Sequence, residues 1–145
     1  LYTYFWRSSP YPMLPTFDAP DANSACTRRN RSNTPLQALT LANDGAFLEF
    51  AQALSDRIIR DASEYDDARI KLAFDAVLAR PPSDFENSRL LEFVASQRKH
   101  FESNPEDAKS AASPTRPAKT AEAVSATWTA VARVILNLDE FITRE

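Results

Sequence analysis

The chain has 145 residues, enough for one domain with a buried core. Hydrophobic residues make up 43% and charged residues 26%, an ordinary globular balance, and the net charge of −3 removes any global electrostatic case for nucleic acid. One cysteine, Cys26, permits no internal disulfide, and with the single histidine, His100, it makes neither a zinc site nor a Cys-x-x-Cys-His haem attachment motif, so no metal or cofactor is expected in this segment.

The lone glycine, Gly45, argues against strands joined by tight turns, which depend on positive φ. The expected fold is therefore all-α, a bundle of about five helices with a long Pro-rich loop after the first. No apolar run is long enough to span a membrane. The chain opens on Leu1 and an apolar run without a basic leader, which reads as a helix cut from a longer protein.

Residues 1–8 read as the end of an amphipathic helix, with Tyr2, Phe5 and Trp6 on one face. Pro10, Pro12, Pro15 and Pro20 then rule out a regular helix, while Met13, Leu14 and Phe17 offer apolar anchors for an ordered loop. Thr34, Pro35 and Gln37 form a capping box at N-cap, N1 and N3, so a helix starts there, with Leu36 and Leu39 along its face. Asp44 breaks that helix or caps the next, whose stripe is Phe47, Phe50, Ala51, Leu54 and Ile58.

A further helix starts near Ser63 or Asp66, runs through Ile70, Ala73, Phe74, Val77 and Leu78, and stops at Pro81 and Pro82. Ser83 and Glu86 make a second capping box, opening a helix with Phe85, Leu90, Phe93, Val94, Gln97 and Phe101 on or near one stripe. Residues 103–119 are small, polar and proline-bearing, the composition of a mobile linker or insertion. From Thr120 the seam Val124, Trp128, Val131, Ile135, Leu138 and Ile142 predicts a last helix ending in a solvated acidic turn. All of this fits a single helical domain over 1–145.

Several strings together resemble a known family. LYTYFWRSSP, MLPTFDAPDANSACTRRNRSNTPLQALTLANDGAF, LAFDAVLARPPSDFE and WTAVARVILNLDEFITRE are similar to the planctomycete-specific C-terminal domain of unknown function. The resemblance implies the C-terminal part of a large exported multidomain protein. It also implies a second planctomycete-specific domain upstream, often with a c-type cytochrome domain ahead of it. The family tends to carry proline where this chain has Gly45. It brings no established activity, and whether the chain is an enzyme stays open.

Charge concentrates before the Thr34 helix. Residues 1–35 carry a local +2 against −5 for the rest. Arg28, Arg29 and Arg31 beside a helix N-terminus are unfavourable unless something negative is near. One reading supplies carboxylates from Asp18, Asp21, Asp44 and Glu49, with the domain acting as a structural or interaction module docked on upstream domains. The alternative is an anion pocket for an acidic polysaccharide, or one wall of a catalytic site. Its ligands would be Arg28, Arg29, Arg31, Asn33 and Thr34. Cys26 is read as buried and inert, His100 as structural, and Trp6 and Trp128 as core.

Overall fold

The computed structural model describes residues 9–20, 24–28 and 32–142. Within them the chain forms helices α1 (Met13–Thr16), α2 (Pro35–Asn43), α3 (Gly45–Asp61), α4 (Asp66–Leu78), α5 (Asp84–Ser103), α6 (Pro105–Ala111), α7 (Glu122–Leu136) and α8 (Asp139–Ile142), and no extended strand. The all-α expectation holds; the count rises from about five because three short helices, α1, α6 and α8, join the predicted long ones. The helix expected over 1–8, with Trp6, lies outside the described residues.

Local chemistry sets the starts of α2, α3 and α5. Thr34 Oγ1 accepts from the Gln37 amide while Gln37 Oε1 accepts from the Thr34 amide. Ser83 and Glu86 close the same reciprocal box on α5. Asp44 ends α2 and caps α3, its carboxylate accepting from the Ala46 amide at 2.8 Å. Gly45 is then the first residue of α3, has no positive φ, and has open space where a Cβ would stand. A first helical position is where proline fits without losing an intrahelical bond, so a proline in place of Gly45 would need no change of fold. With no glycine near, α4 ends on Ala79 in the left-handed region at φ 55°, a conformation that costs an alanine about 1 kcal/mol.

Helix α7 is the central element, packing on α3, α5 and α6 and also against α4. Its Trp128, Val131 and Ile135 meet Ile58 of α3, Ile70, Ala73 and Phe74 of α4, and Leu90 and Val94 of α5. Trp128 is fully buried, as the apolar spacing predicts. A second cluster joins Phe101, Ala108, Ala112 and Ala126, where small side chains let α6 lie close on α7.

Three stretches add detail to the sequence reading. The 103–119 stretch, expected as a mobile linker or insertion, carries α6, and Ala108, Ala112 and Ser113 are buried. Its alanines, Ala108 and Ala112, are the small residues that permit close helix approach. The Pro-rich loop holds one helical turn, α1, with Pro12 and Pro15 tolerated because so short a helix needs few amide donors. The last helix breaks at Asn137, where the Asn137 and Leu138 amides turn back to Val134 and Ile135 three residues earlier, and the chain restarts as α8.

Candidate functional site

Helix α2 is inverted relative to its sequence pattern. Gln37 is 1% exposed, whereas Leu36 and Leu39 are each 59% exposed. The cause is polar. Gln37 Nε2 donates to the Thr16 carbonyl at 2.9 Å and the Ser32 hydroxyl at 3.1 Å, and reaches the Asp18 carboxylate at 3.5 Å. At 100° per residue, a helix that points Gln37 and Leu41 inward must point Leu36 and Leu39 away.

Asp18 anchors the same corner. One oxygen accepts from both the Ser32 amide and the Ser32 hydroxyl at 2.7 Å. The Ser32 hydroxyl, then its amide, hold the carboxyl below its usual value against the opposing effect of desolvation, with Gln37 adding a smaller pull. Asp18 sits at φ 56°, a left-handed conformation that Asp tolerates better than most residues. The α2 start is thus tied to its own surroundings: Thr34 takes the Gln37 amide and Gln37 bridges back to α1.

A carboxylate reaches this corner from the far end of the chain. Asn33 Nδ2 donates to Asp139 Oδ1 across 106 positions. The next residue, Glu140, meets Arg80, whose Nε and Nη2 bond it at 2.6 to 3.0 Å. Arg80 also binds Glu86 at 2.8 and 3.0 Å and lies over the Phe74 ring at 5.3 Å. Arg80 therefore ties the end of α4 to the start of α5 and to α8. Its hydrogen bonds to Glu86 and Glu140 raise its own pKa, push Glu86 down to about 2 and lower Glu140.

A third polar cluster is buried. Asp56 of α3, 7% exposed, accepts from Ser113 Oγ at 2.7 Å and Thr115 Oγ1 at 2.9 Å. The Ser113 amide donates to Ser125 Oγ, and Ser55 donates to the Ser125 carbonyl. This network pins the turn after α6 between α3 and α7. Beside the core, Arg69 lies over Trp128 at 5.5 Å.

The residues singled out from sequence divide clearly. Asp18, Asn33, Thr34 and Gln37 come together at the α2 corner, and Asp44 serves α3 instead. Arg28 is exposed; Asp21, Arg29 and Arg31 lie outside the described residues. Cys26 is exposed rather than buried, because the described residues on either side of it are exposed as well. His100 is exposed on α5 and faces Asp107 at 3.3 Å. Sequence reading missed Arg80, Asp56 and the Asp139–Glu140 pair, whose partners are distant in the chain. The acids following Leu138 gave only a weak signal, as a turn richer in carboxylates than a solvated helix end requires.

No group of three His, Cys, Asp or Glu side chains among the described residues could hold a metal, and no helix there is long and apolar enough to cross a membrane. Among the described residues a shallow, open surface depression of about 370 Å³ is lined by Arg89, Leu90, Glu92, Phe93 and Val134. It has an apolar floor with one exposed Arg89–Glu92 pair at its rim.

These features define a helical domain whose polar clusters bind its own elements to one another. The chain belongs to the family described as PSD1, Protein of unknown function (DUF1553), which it matches over residues 1–94. Three of the four family-like strings fall within that match; the string from Trp128 onward lies beyond it. No curated protein and no solved structure shows significant similarity to the chain.

Proposed function

We propose that the domain is a non-enzymatic docking module of a larger exported protein, held against other domains of the same polypeptide through the outward face of α2. The observation that carries this reading is the inversion of α2. Scattered exposed leucines need no explanation, but two at i and i+3 on a helix that buries a glutamine form a directed apolar face. Phe50 on the following helix is 56% exposed, stacks edge-on against Phe47, and adds aromatic surface of the kind that interfaces favour. Export and the upstream domains, including a cytochrome domain, rest on the family resemblance.

An acidic-glycan site at the arginine cluster is the less favoured reading. It would draw on the Thr34 hydroxyl and the Gln37 amide, and the capping box already pairs these two with each other.

The test compares deuterium uptake over residues 35–54 in this chain alone and in the complete gene product. The docking reading expects protection in the complete product, lost in a Leu36→Ser, Leu39→Ser double variant whose thermal stability is unchanged. Equal uptake in both contexts refutes it.

A further inference from the structure

We propose that a small anion, of halide size, binds between Arg69 of α4 and Trp128 of α7. Trp128 is fully buried and Arg69 is 9% exposed. Each carries a buried N–H without an acceptor, Arg69 at Nε and Trp128 at Nε1. The Arg69 guanidinium carbon stands 5.5 Å from the indole centroid. Nε is bonded to that carbon and Nε1 belongs to that ring system, so the two orphan donors share one neighbourhood. Buried polar groups in folded proteins are nearly always satisfied, and two such donors side by side point to a common acceptor.

No described carboxylate fills that role. Asp66 lies three residues before Arg69 on α4, a spacing that allows pairing. Both Asp66 oxygens instead accept from Arg98 Nη2, at 2.8 and 3.0 Å. Asp67 is held by Lys71 at 2.8 Å and by the Asn87 side-chain amide at 2.7 Å. The acids at the start of α4 are thus committed elsewhere, and Arg69 meets the face of Trp128. Arginine and the indole N–H are donors only, so the group that satisfies them must accept. An anion accepts and also balances the Arg69 charge. Burial sets its size: Trp128 is sealed, so a carboxylate carried on another polypeptide does not reach Nε1. The exposed fraction of Arg69 is the way in. Bound there, the ion joins α4 to α7, and the site does not depend on the docking reading.

Trp128 reports on the site directly. In a Trp6→Phe background it is the sole tryptophan, and bromide serves as a probe that quenches indole emission on contact. The proposal expects saturable quenching by bromide, competed by chloride and not by the larger gluconate. It also expects a Tm that rises when chloride replaces gluconate at constant ionic strength. Arg69→Met should abolish both responses. Wild-type crystals soaked in bromide should show an anomalous peak against Arg69 Nε and Trp128 Nε1, which keeps the test decisive if the variant fails to fold. Quenching that rises without saturating, or a Tm response equal in wild type and Arg69→Met, overturns the proposal. A water at that place that bromide does not displace overturns it too, as does an adventitious ion only, seen in the soak without saturable binding in solution.

Discussion

Replacing Asp56 with alanine tests whether the buried network, rather than the alanine packing alone, fixes the turn after α6. Asp56 accepts two hydroxyl hydrogen bonds, and bonds to a charged acceptor contribute about 1.5–3 kcal/mol each, a gross loss of about 3–6 kcal/mol. Two effects reduce it. Ser113 Oγ and Thr115 Oγ1 are already 3.1 Å apart and can bond each other, retaining about 1 kcal/mol. The second Asp56 oxygen is buried without a partner, and removing it recovers about 1–3 kcal/mol of desolvation. The net expectation is a destabilisation of about 2 kcal/mol, or about 6–8 °C in Tm for a domain of this size. Urea unfolding of Asp56→Ala, Ser113→Ala and the double variant measures it. The cycle should show a coupling of about 1–2 kcal/mol. A single-variant loss below about 0.5 kcal/mol, or additive singles, would refute the reasoning.

Acid should reveal the Arg80 clasp. Glu86 titrates at about 2 in the fold against 4.5 as its ordinary value, so its stabilisation is complete above about pH 4.5 and is lost as pH falls toward 2. An Arg80→Met variant should differ from wild type by a constant amount at neutral pH, and the two stability curves should converge below about pH 4; parallel curves down to pH 2 would contradict this. Gln37→Glu keeps the shape of the side chain but replaces the donor that faces the Thr16 carbonyl and the Asp18 carboxylate with an acceptor oxygen. A loss of about 2–4 kcal/mol in denaturant unfolding is expected, and a neutral outcome would show that the α2 corner is not held by Gln37.

What the sequence discloses here is what is local. The capping boxes at Thr34 and Ser83 and the stop at Pro81 involve neighbours three residues apart or fewer, so residue type and spacing suffice to find them. The buried stripes of α4 and α7 are equally legible, because a period of 3.6 residues is itself the signal. The rotation of α2 is not, since Leu36 and Leu39 advertise an inward face until Gln37 finds Thr16, Ser32 and Asp18. Segment 103–119 misleads for a related reason. Small polar residues look like linker sequence, and only Asp56, more than fifty positions away, turns Ser113 and Thr115 into buried partners. At the α2 corner Asp18 is held by Ser32 and Gln37, while Asp139 reaches Asn33 from a distance that no spacing rule covers.

The placement of Trp128 has a consequence for the order of events during synthesis. The family-matching stretch closes at residue 94, in the middle of α5, yet the side chains that fill the space between α3, α4 and α5 come from α7. While the ribosome is still adding α6, Ile58, Ile70 and Phe74 have been made without the Trp128, Val131 and Ile135 side chains that complete their cluster. The nascent chain must carry that apolar surface open for tens of residues, several seconds at ordinary translation rates. Completion is then abrupt, because one helix delivers Trp128, Val131 and Ile135 together.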